Sequence, residues 1–356
     1  MRLIRPLNVA RLLALMLAFS AFVPSSSLEA ATTRKKSSTS TSKSKPTYSA
    51  AASQARKARL ARARAAARAR EQARFAALQE AMRPRFKTDA SGAQVPDIRA
   101  AAAIIFNPET GQVLWEENAQ DKRSIASITK VMTALVFLED NPDLSREITV
   151  ERGDVYAAST TYLRANERIT LDNVLHLTLI ASDNAAARVL ARVSHGGTSS
   201  FVERMNEKAV ELGLESTSFA DPSGLNPANV SSAYDLSRLI SFASANDTMA
   251  PIMRTAEYTA RTSRRTITIR STNHLLRGGE VDVLGGKTGF ISKAGYCIAT
   301  LLRLPENGHQ VAVVVLGARS NAGRFMETRN LFSWLSQQAP SLFATKTVVP
   351  PPVVTQ

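Results

Sequence analysis

The chain is 356 residues long with a formal net charge of +15, from 45 Lys and Arg against 30 Asp and Glu. The excess is local: residues 32–87 hold 16 basic residues against Glu71 and Glu80 alone, and everything after Lys87 holds 26 basic and 27 acidic residues. A nucleic-acid binder should carry its charge on a folded face with stacking aromatics nearby, so no nucleic-acid partner is expected, and a single cysteine, Cys297, excludes an intramolecular disulfide.

Residues 1–30 pass from Arg2, Arg5 and Arg11 through the apolar run 12–23 to Pro24, serines and small residues, which is the order of a secretory signal peptide. The run is too short to span a hydrocarbon core of about 30 Å. The expectation is cleavage after Ala30 and export to the periplasm, soluble or peripherally attached to the envelope. Residues 31–97 read as a linker: rich in Ser, Thr and Lys to residue 45 and therefore disordered, then rich in Ala and Arg with strong helix propensity. A weak contact between this basic linker and an anionic envelope surface is expected, since each basic residue near such a surface adds about 1 kcal/mol.

Residues 98–340 read as one folded domain and 341–356, with Pro350-Pro351-Pro352, as a Pro-rich tail. Runs 101–106 and 112–115 flank Asn107-Pro108-Glu109-Thr110-Gly111, which is hairpin chemistry. A helix is predicted over 127–138, stopped by Asn141-Pro142. Residues 171–246 are helical in pattern, then strands are predicted over 283–288, 296–302 and 311–316 and a last helix over 321–337. Cys297, inside the second of these strands, reads as a small packed hydrophobe rather than a nucleophile. The order implies an α+β fold, an antiparallel sheet flanked by helices with a helical subdomain, and a site between the two.

Ser-x-x-Lys occurs three times, and Ser40/Lys43 and Ser42/Lys45 fall in the stretch expected to be disordered. Only Ser127-Ile128-Thr129-Lys130 opens an apolar helix, where residues three apart share a face and the Lys130 amine meets the Ser127 hydroxyl. A serine needs a base, and lysine serves only when burial or a neighbouring cation lowers its pKa. Lys287-Thr288-Gly289, the one Lys-Thr-Gly of the chain, supplies a second amine at the end of a strand. Ser182-Asp183-Asn184 lies between two helical runs. Ser-x-Asn also occurs at Ser244 and Ser271, so only the ordered set of three motifs carries weight.

This set, with Asp221-Pro222-Ser223-Gly224-Leu225 and Gly286-Lys287-Thr288-Gly289-Phe290, resembles the penicillin-recognising serine D,D-peptidases, the low-molecular-mass penicillin-binding proteins, over residues 98–338. The resemblance implies the β-lactamase/D,D-peptidase fold, peptidoglycan stem peptides as substrate and covalent binding of β-lactam antibiotics. It implies that Ser127 is acylated, that Lys130 takes its proton and that Ser182 relays a proton to the leaving group. It further implies that Asn184 binds the substrate amide, that Lys287 and Thr288 hold the terminal carboxylate, and that the N–H groups of Ser127 and Phe290, after Gly289, form the oxyanion hole. Asp183, where the carboxypeptidases of the family commonly carry Gly, points to a D-alanyl-D-alanine endopeptidase, with a carboxypeptidase as the alternative.

A β-lactamase shares the three motifs but needs a positioned glutamate, and Glu203, Glu207, Glu211 and Glu215 recur on what reads as a solvated face. A non-catalytic envelope-binding protein would lack one of the chemical residues, and none is missing. His176, His195, His274 and His309 are scattered without ligand spacing, so neither a metal nor a cofactor is expected.

Overall fold

The computed structural model describes residues 50–279, 281–305 and 307–343. The expected signal peptide, the stretch 31–45 with its two Ser-x-x-Lys pairs, and the tail from 344 lie outside these residues. The chain divides after Glu71 into two units, the first described only by residues 50–71 of helix α1 (Ala50–Met82). Ala, Arg, Gln and Glu make α1 helical by intrinsic propensity. It has no apolar stripe, and Leu60 and Phe75 are exposed.

From Gln72 onward the chain is the second unit. It opens with a hairpin of β1 (Phe86–Thr88) and β2 (Gln94–Pro96), followed by β3 (Ala102–Phe106), β4 (Val113–Glu117) and the short β5 (Arg123–Ser124). A 3-10 turn, Ala126–Thr129, leads into α2 (Lys130–Glu139). The helical part follows, with β6 (Glu147–Thr149), α3 (Arg152–Val155), β7 (Arg168–Thr170), α4 (Leu171–Leu179), α5 (Asn184–Val193) and α6 (Gly197–Glu211). Next come β8 (Val230–Ser231), α7 (Ala233–Ser244), α8 (Met249–Met253) and a hairpin of β9 (Glu257–Arg261) and β10 (Thr266–Arg270). The chain then returns to the sheet through β11 (Asp282–Ile291), β12 (Gly295–Arg303) and β13 (Gln310–Ala318) and ends in α9 (Asn321–Leu342).

The main sheet is antiparallel throughout, in the order β11-β12-β13-β3-β4. Its strands read as continuous apolar runs because both faces are covered. Ala102, Ile104, Ala312, Val314, Ala299 and Leu301 face the core under α7 and the helical part, while Ala103, Ile105, Val313, Val315 and Ile298 face the one under α9. Cys297 is fully buried in the first core, and burial pushes its thiol up to about 11, so it packs rather than reacts. Helix α2 is buried from Lys130 to Phe137, and a helix apolar on every side is a central one. Among the described residues no helix is long and apolar enough to cross a membrane.

The structure departs from the sequence reading at both ends of the domain. Residues 86–96, read as linker, form the β1–β2 hairpin, fastened by Trp334 Nε1 donating to Gln94 O at 2.9 Å and by Arg85 pairing with Asp97 at 3.2 Å. Polar and basic composition hid it, since β1 is exposed along its length. Helix α9 runs five residues beyond 337 and through Pro340, into the segment read as tail. The ring costs only one amide near a terminus, and Phe343 N still donates to Ala339 O at 3.0 Å.

Two glycines let the sheet and the loop at 221–225 close on the Ser127 turn. Gly224 has φ 80°, and a Cβ there would lie 2.1 Å from Ala126 O; one on Gly289 of β11 would lie 2.7 Å from Ile125 O and 3.1 Å from Ser127 N. Gly92, in the β1–β2 turn with φ 86°, has open space around it. Gly92→Ala should therefore lose only the left-handed strain, about 1 kcal/mol. Gly224→Ala adds a clash with backbone and should lose about 3 kcal/mol or more by chemical denaturation; equal losses at the two sites would refute the close approach.

Candidate active site

Ser127 sits in the 3-10 turn rather than in the helix predicted for it, and Lys130 is the first residue of α2. On a 3-10 turn residues three apart nearly eclipse, so this geometry brings the pair together more directly than an α-helix would. Lys130 Nζ lies 2.9 Å from Ser127 Oγ and 2.7 Å from Asn184 Oδ1, and it also donates to Ser223 O. Its side chain is wholly buried, and burial lowers the amine to about 7. Asp183 and Asp221 oppose that fall and Arg188 assists it. A drop from 10.5 is worth on the order of 5 kcal/mol against the charged form, so desolvation outweighs two carboxylates. The sequence argument assigned this work to the second lysine; the cause is burial, because α2 is the central helix.

The second motif lies where α4 ends and α5 begins. Ser182 has φ 60°, and Asp183 caps α5 by accepting from Ala186 N at 2.9 Å. Asn184 is thus fixed at the first position of α5, its Oδ1 on Lys130 and its Nδ2 donating to Ala158 O at 2.8 Å. Asn184 is 4% exposed, so an amide already using both ends offers little to a substrate without rearranging.

The third motif lies on β11, one of the two edge strands of the sheet. Lys287 is 1% exposed, and its Nζ donates to Ser182 Oγ at 2.7 Å and to Thr288 O at 3.0 Å. Burial first, then Lys130 and Arg324, hold its amine well below the ordinary lysine value. Lys287 therefore stands behind the cleft against Ser182, not on its surface where a carboxylate would arrive. The cation that lines the cleft is Arg324 of α9, whose Nη1 donates to Gly289 O at 3.0 Å and Cys297 O at 3.2 Å, and whose Nη2 donates to Asn321 Oδ1 at 2.6 Å. All these acceptors are neutral, and burial lowers its guanidinium to about 10.

The cleft holds about 530 Å³. Of the sequence-predicted residues, Ser127, Ser182, Asn184, Thr288, Gly289 and Phe290 line it, and Lys130 and Lys287 reach it only through their hydroxyl partners. Sequence reasoning missed Ser159, Thr160, Thr272 and Arg324 on the lining. Thr272 lies inside one of the Ser-x-Asn matches set aside, and its Oγ1 accepts from Thr288 Oγ1 at 2.7 Å. Among the described residues no carboxylate lines the cleft, Glu203, Glu207, Glu211 and Glu215 are all exposed outside it, and none of the four histidines borders it.

Comparison with known proteins agrees with this geometry. The profile of the family described as D-alanyl-D-alanine carboxypeptidase, peptidase S11, matches residues 89–320. A D-alanyl-D-alanine endopeptidase of Escherichia coli K12 is 33% identical over 69% of this chain and 80% of its own, and one of Pseudomonas aeruginosa is 32% identical over 67% and 78%. The crystal structure of the Streptomyces K15 DD-transpeptidase superposes with a TM-score of 0.64 at 30% identity, covering 68% of this chain and 98% of that one. A sheet edge facing a cleft serine paired with a buried lysine, a profile match over 89–320 and these relatives agree: the chain belongs to the D-alanyl-D-alanine carboxypeptidase family of serine D,D-peptidases.

Proposed function

We propose that the chain hydrolyses D-alanyl peptide bonds of peptidoglycan stem peptides through an acyl-enzyme on Ser127, that it acts chiefly as an endopeptidase on cross-links, and that β-lactams acylate the same hydroxyl. The observation that carries the reading is the set of partners around Lys130 Nζ. Two of the three are carbonyl oxygens, from Asn184 and Ser223, which can accept but never donate. A neutral amine satisfies both with its two N–H groups and turns its lone pair to Ser127 Oγ, which is the arrangement a general base needs.

Attack of Ser127 Oγ on the D-alanyl carbonyl carbon then passes the hydroxyl proton to Lys130. Ser182, hydrogen-bonded to the Lys287 amine, relays a proton to the departing nitrogen as the C–N bond breaks. The N–H groups of Ser127 and Phe290 take the oxyanion, consistent with Gly289 lying against Ser127 N. The open edge of β11 offers backbone groups to an extended peptide. Thr288 and Arg324 supply a hydroxyl and an otherwise unneutralised cation for a carboxylate, with Lys287 acting through Ser182. Water then releases the acyl group. The endopeptidase preference is supported by the curated relatives named for that activity. The run at 12–23 supports export, and the predominantly basic, non-amphipathic α1 supports electrostatic contact with an anionic envelope surface rather than insertion.

Three outcomes are expected. Because the base works deprotonated, the rate of acylation by penicillin should rise with pH through about 7 and level off above it. One unit below that midpoint it should be about tenfold under the plateau, and Ser127→Ala should abolish labelling with an unchanged melting temperature; labelling that survives moves the nucleophile elsewhere. Incubation with purified cross-linked muropeptide dimers should yield monomers faster than pentapeptide yields free D-Ala, and the reverse order would make the enzyme a carboxypeptidase. Deleting residues 32–82, which spares the β1–β2 hairpin, should shift the protein from envelope to soluble fractions at low ionic strength, and unaltered fractionation would remove the linker's role.

A further inference from the structure

One side of the cleft is an irregular segment between α3 and β7, and three of its non-glycine residues, Ala157, Ser159 and Asn166, have φ of 48°, 60° and 65°. Left-handed backbone outside glycine persists only where the surroundings over-determine it. Here they do. Asp183 Oδ2 accepts from Tyr162 N and, at 3.1 Å, from Thr161 Oγ1. Asn184 N donates to Thr160 O at 3.0 Å and its Nδ2 to Ala158 O, while Arg188, one turn on, donates to Tyr156 O at 2.6 Å. The whole run 156–162 is thereby pinned to the start of α5, and its exposed Ser159 and Thr160 line the cleft together with the β11 edge.

The pin is specific to a carboxylate. Asp183 is fully buried and meets three donors, with Oδ1 on Ala186 N and Oδ2 on Tyr162 N and Thr161 Oγ1. An asparagine would have to turn its NH₂ towards one backbone N–H or the other, so either the α5 cap or the hold on the segment is lost.

We propose that Asp183 is a positioning residue that holds residues 156–162 as the second wall of the cleft, and that Ser159 and Thr160 on this wall contact the peptide arm of an extended substrate, an arm that a small β-lactam lacks. The proposal rests on the acyl-transfer reading of Ser127, because only that reading lays an extended peptide along β11 beside this wall. Charge is a separate matter: Asp183, Asp221, Arg188 and Lys287 surround Lys130, so loss of Asp183 also favours the free amine.

The test therefore runs at about pH 8.5, above the Lys130 midpoint, where the state of that amine no longer discriminates. The full mature chain, Asp183→Asn and the double variant Ser159→Ala/Thr160→Ala are each assayed for acylation by 6-aminopenicillanic acid and for cleavage of a cross-linked muropeptide dimer. In both variants the ratio of dimer kcat/KM to β-lactam acylation should fall about tenfold, carried mainly by KM. An unchanged ratio in the double variant overturns the wall as a subsite, and this variant alters only exposed side chains, so it does not depend on Asp183→Asn folding. Equal losses on both substrates in Asp183→Asn overturn the positioning role. A wild-type chain that the β-lactam fails to acylate defeats the reading of Ser127 before any variant is compared.

Discussion

The structure depends on a lysine amine being buried in the middle of the protein with only oxygen atoms to meet it. Lys130 sits at the head of the most enclosed helix, and the groups that receive its nitrogen come from α2's own leading turn, from α5 and from the loop at 221–225. Each is fixed by something else: Asn184 by Ala158 O, and the loop by Thr133 Oγ1 donating to Pro222 O at 2.6 Å and by Gly224 N donating to Asp221 Oδ1 at 3.0 Å. An amine that loses several kcal/mol by being charged is stable only in a cage this well determined, and the cage is what gives it the pKa of a base.

The two lysines divide the chemistry by where burial leaves them. Both amines are lowered first by burial; for Lys130 the fall is countered by Asp183 and Asp221 and ends near neutrality, whereas for Lys287 the neighbouring Lys130 and Arg324 add to it. Of these three basic side chains only Arg324 borders open space. On the proposed mechanism, a carboxylate arriving at Arg324 would offset its charge and weaken its repulsion of Lys287, which would link substrate binding to the proton relay through Ser182.

The sheet, the central helix and the three motifs were legible because each rests on a local pattern. Apolar runs such as Val311 to Leu316 can be read without knowing their neighbours, and so can Ser127 to Lys130 at the start of a helix. What escaped the sequence depended on contacts between distant residues. Arg324 looks like any basic residue of an amphipathic helix until α9 packs it beneath Gly289, 35 residues away in sequence. Ser159 and Thr160 sit in a segment without periodicity, shaped at Tyr162 by the carboxylate of Asp183, 21 residues beyond it. The β9–β10 hairpin was hidden by Arg and Thr on its outer face, although its inward residues Ala260, Ile267 and Ile269 alternate as a half-buried hairpin requires.

Strand β11 shows why an apparent defect belongs in this fold. An apolar strand at a sheet edge invites pairing with other chains, and β11 is buried from Val283 to Gly289. Packing against α7, α8 and the Ser127 turn covers most of that length, which Gly285 permits by leaving room for Ser244 and Gly289 by leaving room for Ile125 O. The part left uncovered is the short end at Phe290 and Ile291, which continues the cleft lining begun by the buried Thr288 and Gly289. Its hydrogen-bonding edge can be reached there only by a chain narrow enough to pass between β11 and the segment at 156–162. On the proposed reading, the same geometry that protects the sheet from indiscriminate pairing would present the scissile bond of a bound peptide to Ser127.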